Sequence, residues 1–504
     1  DKYFINDNIT ISGSDELILE GCQIVVLPND PPWQITIETN AKLTIVPYIG
    51  SVSSENIQTQ MYGCEKMWAG IKNNGGTLDM FNMPGGGATP FSFPTIIEDA
   101  INAIESDGGS VQIRFVNLDK NFRSFYFYED DDVFVGTPFV KGCKITNSDG
   151  VLRKEPKLGI IPYEHMLLEN ITNVVFVIGD DSPSGLRNTF DAAVYGIRSF
   201  NSSINFKNNL FQNMNRNDDQ YYHRNDGTAI FASSATGNII NITSDNEFKN
   251  SPFGIALFGN IESNIQGNEF NNLIRGININ NNASNVSINE YNTFTSVSTA
   301  VIGRNITGNF QVYENTFNNT IPASITSMPY TNFNSTAVTI QNSGIFTIGD
   351  VNVFSNTINN YRIGIHALNI PKIKIGTPYK DIDTSPSSTI PPRPNTITHT
   401  TLVANQFNES IWLQNCPEAE LNDNVIENTD NTTSATYFGV ELDLVTDGYL
   451  RRNLINGTSS IAGSALLIRN PCDNTVLECN EMDGFDIGIQ LADGDLPTQG
   501  EADP

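Results

Sequence analysis

The sequence predicts an all-β chain wound into a right-handed parallel β-helix, a solenoid whose coils are 22–24 residues long. Three observations predict it. A fragment of the form Asn-x-apolar recurs at nearly constant spacing. A Gly-Ile signal follows several of its copies. The composition is polar and turn-rich with few charges: 17% Asp, Glu, Lys and Arg against 39% hydrophobic residues over 504 positions. That mixture suits a β-rich surface better than helices.

The fragments Asn246-Glu-Phe248, Asn268-Glu-Phe270, Asn292-Thr-Phe294 and Asn315-Thr-Phe317 are spaced by 22, 24 and 23 residues. Related fragments follow at Asn356-Thr-Ile358, Asn405-Gln-Phe407, Asn424-Val-Ile426, Asn453-Leu-Ile455 and Asn480-Glu-Met482. The second signal stands at Phe253-Gly254-Ile255, Arg275-Gly276-Ile277, Ile363-Gly364-Ile365 and Ile487-Gly488-Ile489. This period fits one coil of three short strands, with inward residues alternating with outward ones along each strand. The apolar residue of each fragment is expected to point inward and stack on its counterpart one coil up. The Asn is expected at the corner, where its amide bonds the Asn of the next coil and satisfies turn backbone. Gly before Ile permits a corner where a side chain clashes or φ is positive. A leucine-rich repeat has a similar period but needs a Leu ladder, which is missing, and a propeller blade is nearly twice as long.

Residues 1–60 read as opening or capping coils, with strand-like runs at Leu17–Leu19, Ile24–Leu27, Ile35–Ile37 and Leu43–Val46. Residues 61–140 continue the winding and carry the one expected helix, near 95–105, where Ile96, Ala100 and Ile104 recur at spacing four. Residues 141–491 form the repeat array, with inserted loops near 215–226 and 371–397, the second of them Pro-rich. Residues 492–504 are a polar tail that cannot cap a coil, so the native chain is expected to continue.

A formal charge of −28 disfavours nucleic acid and anionic membrane surfaces, and no apolar stretch is long enough to insert into a bilayer. The six cysteines lack zinc-site spacing; Cys472 and Cys479 bracket a short loop and read either as a disulfide or as two of six free thiols. No motif implies a cofactor. Calcium is the one possible ion, through Asp130, Asp131 and Asp132 after Glu129, with a plain charged turn as the competing reading.

β-Helices often carry polysaccharide lyases and hydrolases, and fold alone decides nothing. A hydrolase needs carboxylates clustered on one face of neighbouring coils. A lyase needs a cation and a base at one point. No catalytic set is written in this chain; Asp180-Asp181 is a superficial match better explained as a turn. The most site-like segment runs from Asn215 to Asp226. Its Arg216, Tyr221, Tyr222, His223 and Arg224 are candidate ligand contacts, and a solvated loop with locally paired charges is the alternative. His165, His366 and His399 lie far apart and suggest no metal site, while Trp33, Trp68 and Trp412 read as core or cap residues.

The run Gly63-Cys64-Glu65-Lys66-Met67-Trp68-Ala69-Gly70-Ile71, followed by Gly75-Gly76-Thr77-Leu78 and Ile97-Glu98-Asp99-Ala100, resembles secreted β-helical surface proteins of Bacteroidota. Many of these are cargo of the type IX secretion system and carry a C-terminal sorting domain, which these 504 residues do not include. The specific motifs lie between residues 35 and 120. The resemblance implies an extracellular or outer cell-surface location and partners in the secretion machinery or outer membrane. The first functional expectation is therefore a non-enzymatic adhesin or structural surface component. The alternative is a polysaccharide-active enzyme, lyase or glycoside hydrolase, or a carbohydrate-binding β-helix.

Overall fold

The structure is a computed structural model, and it describes residues 1–50, 56–81, 93–180, 187–215, 226–320, 335–343, 350–377, 394–402, 407–430, 435–458 and 462–492. Among these residues the regular structure is strand throughout, with no helix, and the strand pairings between successive coils are parallel. The chain divides into two compact units, Asp1–Ala256 and Leu257–Pro504. Each unit is a parallel β-helix.

In the first unit a coil contributes one strand to each of three sheets. Val116–Asp119, Lys144–Thr146, Asn188–Asp191 and Asn209–Gln212 lie in the first sheet. Asn102–Asp107, Arg123–Tyr128, Glu164–Glu169 and Tyr195–Phe200 lie in the second. Ser110–Arg114, Phe139–Lys141, Val175–Gly179 and Ser203–Lys207 lie in the third. The second unit repeats the plan: Thr357–Asn359, Ile363–Leu368 and Ile373–Gly376 form one coil of its three sheets.

A buried asparagine marks the corner between third and first sheet. In the first unit Asn188 donates to Asn209 Oδ1 at 2.9 Å and Asn209 to Asn246 Oδ1 at 2.8 Å. In the second unit the chain of amides runs from Asn268 through Asn292, Asn315, Asn356, Asn395, Asn424 and Asn453 to Asn480, each link 2.8–3.1 Å. The same amides reach backbone carbonyls, Asn356 to Val312 O at 2.9 Å for example, and the Oδ1 of Asn292, Asn356, Asn395, Asn453 and Asn480 also takes a backbone N–H, as Asn315 N to Asn356 Oδ1 at 3.1 Å. The ladder member after Asn356 is Asn395, not Asn405, which lies outside the described residues. Asn395 precedes the strand Thr396–His399, which pairs with Thr357–Asn359, whereas Phe407 opens a strand of a different sheet.

Aromatic rings stack inside, one coil apart, as the spacing requires. Phe190, Phe211 and Phe248 form one stack with centroids 4.8 and 5.2 Å apart in the first unit. Phe270, Phe294 and Phe317 form another at 4.5 and 4.8 Å in the second. Glycine beside these stacks is needed for close approach rather than for positive φ. A Cβ on Gly276 would stand 2.8 Å from the Phe294 ring and 2.6 Å from Ala300 O. A second asparagine corner, on the surface, uses the left-handed conformation that Asn tolerates. Asn281 and Asn305 have φ of 51° there, and their side chains bond at 2.9 Å.

One expectation is corrected, and one reading left open is decided. Residues 95–105 form no helix: Thr95–Glu98 and Asn102–Asp107 are strands of different sheets, separated by a corner at Asp99 with φ of 58°. Ile96 precedes that bend while the buried Ala100 and Ile104 follow it, so spacing four arose from two short strands. Parallel neighbours Gln60–Gly63 and Val116–Asp119 take the backbone bonds that a helix would have kept to itself. The pair Cys472 and Cys479 forms no disulfide. All six cysteines are free; Cys472 is buried, Cys479 is exposed, and the extended strand Val476–Glu478 holds them apart.

Replacing Asn356 by Ala removes a donor to Val312 O and the acceptor of the buried Asn315 backbone N–H. The second unit is expected to lose about 2–4 kcal/mol, read as a lower denaturant midpoint. A loss below about 0.5 kcal/mol, the range of an ordinary surface change, would contradict the role given to the ladder.

Candidate functional site

Arg216, Tyr221, Tyr222, His223 and Arg224 lie outside the described residues. The flanks of their segment are placed. Asn215 N donates to Ala193 O at 2.8 Å and Gly227 N to Val194 O at 3.0 Å, while Asp226 Oδ1 accepts from Tyr195 Oη at 2.8 Å. The described flanks, Asn215 and Asp226–Gly227, are therefore both held beside the start of the strand Tyr195–Phe200.

Asp130, Asp131 and Asp132 form a turn whose backbone does the binding. Their three amides point at the carboxylate of Asp107, at 2.9, 3.2 and 3.5 Å. Among the described residues no three His, Cys, Asp or Glu side chains are grouped to hold a metal ion. Asp180 faces Lys141 at 3.8 Å, as a turn residue would, and Asp181 lies outside the described residues.

The outer face of the second sheet in the first unit carries a cluster that the sequence pattern did not disclose. Register places Glu164 beside Tyr195, Glu105 beside Tyr126, Leu167 beside Arg198, and Arg198 beside Phe231. Glu164 is only 1% exposed and is clamped by two cations. Arg123 reaches its Oε1 with Nε at 2.7 Å and with a second guanidinium nitrogen, and Arg198 Nη1 reaches Oε2 at 3.0 Å. The Arg198 guanidinium lies 5.1 Å from the Tyr163 ring, 5.2 Å from Tyr195 and 5.0 Å from Phe200, within cation–π range. Tyr126 donates to Glu169 at 2.7 Å and Tyr128 to Glu105 at 3.1 Å. Burial first, then these carboxylates, push the Tyr126 and Tyr128 phenols above their ordinary range, so both remain donors at neutral pH. Half-buried phenyl and phenol groups thus alternate with charged groups over several coils.

The second unit carries a different set on the corresponding face. Glu409 precedes two inward residues, Ser410 and Ile411, just as Glu164 precedes His165 and Met166. Among the described residues no cation forms an ion pair with the carboxylate here. Glu409 is 5% exposed, its Oε2 has no hydrogen-bond partner, and burial raises its pKa to about 7 against the weaker pull of Arg362. One row away His366 stacks on Trp412, with centroids 4.2 Å apart and planes 9° apart. Burial lowers the His366 pKa to about 4, so it is neutral. Trp412, expected in the core or a cap, therefore lies on the outer face. Trp68 is buried as expected, its Nε1 donating to Glu98 O at 2.9 Å. His165 and His399 are buried and neutral too; His399 bonds Ser410 Oγ at 2.9 Å, and that hydroxyl is 2.8 Å from Tyr437 Oη.

One signal for the first face was available. In Arg123-Ser-Phe-Tyr-Phe-Tyr128 the buried Phe125 and Phe127 alternate with half-buried Tyr126 and Tyr128. Nothing in sequence spacing, however, brings Arg123, Glu164 and Arg198 together.

No family model matches the chain, and no curated protein does. Among solved structures it is similar to a mannuronic acid specific polysaccharide family 6 lyase enzyme from human gut microbiota. The identity is 11%, with 92% of this chain and 87% of that chain covered and a TM-score of 0.27.

Glu164 and Glu409 give opposite expectations on neutralisation. Glu164→Gln leaves two arginines without their counter-charge and should lower the thermal midpoint at neutral pH, by about 3–5 kcal/mol in stability. Burial raises the Glu409 pKa to about 7 in the folded chain, above the ordinary glutamate value of 4.5. It is protonated in both states below the lower value, and its ionised form increasingly penalises the fold as pH rises towards the upper one. Glu409→Gln should therefore raise the midpoint above about pH 7 and leave it unchanged below about pH 4. Equal responses of the two variants across pH would contradict the contrast.

Proposed function

We propose that this chain is a surface-exposed glycan-binding β-helix, and that its ligand lies along the outer face of the second sheet in the first unit. One observation carries the reading: the side chains of Tyr126, Tyr128, Tyr163, Arg198, Phe200 and Phe231 share that face over successive coils. Aromatic groups supply apolar contact to sugar rings, and flanking arginines and carboxylates supply hydrogen bonds to hydroxyls. Coils repeat at roughly 4.8 Å, so a repeating polymer meets a repeating surface.

Binding is favoured over turnover on this face because its polar groups are already engaged. Glu164 is held by two arginines, and Tyr126, Tyr128 and Tyr195 each donate to a carboxylate. A base held between two cations is a poor proton acceptor. This supports an adhesive role over the lyase or hydrolase alternative. The acidic, Asn-rich composition and the resemblance to exported surface proteins support an extracellular location. Export by a type IX-like machinery rests on that resemblance alone.

Affinity electrophoresis against a panel of neutral and acidic polysaccharides tests the reading. At least one polymer should retard the protein without gaining reducing or unsaturated ends. Tyr128→Ala and Phe200→Ala should each weaken retention by about 3–10-fold, whereas Tyr291→Ala, 75% exposed in the second unit, should not. Retention by no polymer, or variants that bind like the parent, would refute it.

A further inference from the structure

The outer face of the third sheet in the first unit carries a row of cations on a chain whose formal charge is −28. Arg114 ends the strand Ser110–Arg114, Lys141 ends the next, Phe139–Lys141, and the register sets the two side by side. In the following coil the row passes Gly179, and one coil further it reaches Lys207. Beyond Gly142 and Cys143, Lys144 opens the strand Lys144–Thr146 across the corner. Arg114 and Lys144 are exposed, and Lys141 keeps 24% of its side chain exposed.

We propose that Arg114, Lys141 and Lys144 form a docking surface for an acidic polysaccharide, whose oxyanion groups they meet. This surface lies on a different sheet from the aromatic face and does not rest on the function proposed for that face.

One ring gathers two of the cations. The Arg114 guanidinium lies 4.6 Å from the centroid of Phe139, and the Lys141 ammonium lies 5.0 Å from the same centroid. Both heads are thus held over one buried ring by cation–π contact. Like charges side by side on neighbouring strands are destabilising, and little in the chain relieves them. Among the described residues Arg114 and Lys144 form no ion pair, and Lys141 forms one, with the half-exposed Asp180 at 3.8 Å. Asp79, which the register sets beside Gln112, is paired with Lys42 at 3.4 Å. A cationic row kept against its own repulsion is a local conflict of the kind that functional surfaces carry.

Charge and spacing select the ligand. Exposed guanidinium and ammonium groups suit oxyanions, and the planar guanidinium takes a carboxylate through two parallel hydrogen bonds. Arg114 and Lys141 repeat along the coils at roughly 4.8 Å, with Lys144 flanking them past the corner. They form a line on the surface rather than a pocket, so successive charged groups of a polymer meet successive cations. Uncharged hydrogen-bonding side chains stand beside them: Gln112 next to Phe139, and Asn117 and Thr189 on either side of Lys144. These suit the hydroxyls of a sugar chain. Phe139 is buried and offers no platform on which nucleotide bases stack.

Calorimetric titration of the full chain tests this at about 0.1 M salt, where charges more than about 10 Å away are screened. The probes are a uronate oligosaccharide, a sulfated oligosaccharide, an uncharged oligosaccharide and inorganic phosphate. The parent should bind at least one of the two acidic oligosaccharides. Arg114→Gln combined with Lys141→Gln should weaken that binding at least about tenfold, the loss of one or more charged hydrogen bonds. The same double variant should keep or raise the parent's thermal midpoint, because a repulsive pair is gone. Arg153→Gln removes an equal charge from an exposed loop and should bind like the parent. Asp180→Asn removes the competing carboxylate and should bind about 2–5-fold tighter. Binding of neither acidic probe, equal binding of the uncharged one, or phosphate competing as well as the oligosaccharide would overturn the proposal. So would a double variant with unchanged affinity and a lowered midpoint, which would assign the two cations to the fold alone.

Discussion

In each unit, buried asparagine amides bonded from coil to coil at one corner set the register on which the remaining structure depends. A parallel strand pair can slip by one residue and turn every side chain to the other face. The Asn ladder forbids that slip, because each amide must meet both the Asn of the next coil and a fixed backbone carbonyl. With Asn356 bonded to Asn395 and to Val312 O, the strands Thr357–Asn359 and Thr396–His399 have one alignment. Phe294 then stacks on Phe270, and Gly276 becomes obligatory where the Phe294 ring would meet a Cβ.

With register held from inside, the outward positions are free to vary, and the two units use them differently. Glu164 and Glu409 occupy equivalent positions of their coils and are both buried. The first is neutralised by Arg123 and Arg198. The second forms no ion pair among the described residues and holds its proton to about neutral pH. The backbone is the same; the electrostatics come entirely from which residues the neighbouring coils present. One face becomes an aromatic surface whose buried carboxylate is paired, and the other keeps a buried carboxylate without an ion pair.

The inside of this fold was legible in the sequence and the outside was not, for a physical reason. Inward residues repeat because each must stack on a like neighbour, so Asn268, Asn292 and Asn315 with Phe270, Phe294 and Phe317 announce themselves by spacing. Where insertions stretched the interval, spacing misled: Asn405 matched the pattern, but Asn395 carries the ladder. Local periodicity also misled at Ile96, Ala100 and Ile104, where two short strands around the bend at Asp99 imitate a helical stripe. Arg123, Glu164 and Arg198 obey no period, since their meeting depends on coil lengths that vary between them. Arg216 and His223 lie outside the described residues; Asp226, which follows them, meets the aromatic face through Tyr195.

Hydroxyl-radical footprinting of the full chain, with and without a retained polysaccharide, tests most directly whether the outer face of the first unit is where ligand is bound. The account predicts reduced labelling at Tyr126, Tyr128, Tyr163 and Phe200, with exposed Tyr291 and Tyr449 unchanged. Unchanged labelling of the first four residues under saturating ligand, or uniform protection of all exposed aromatics, would contradict it.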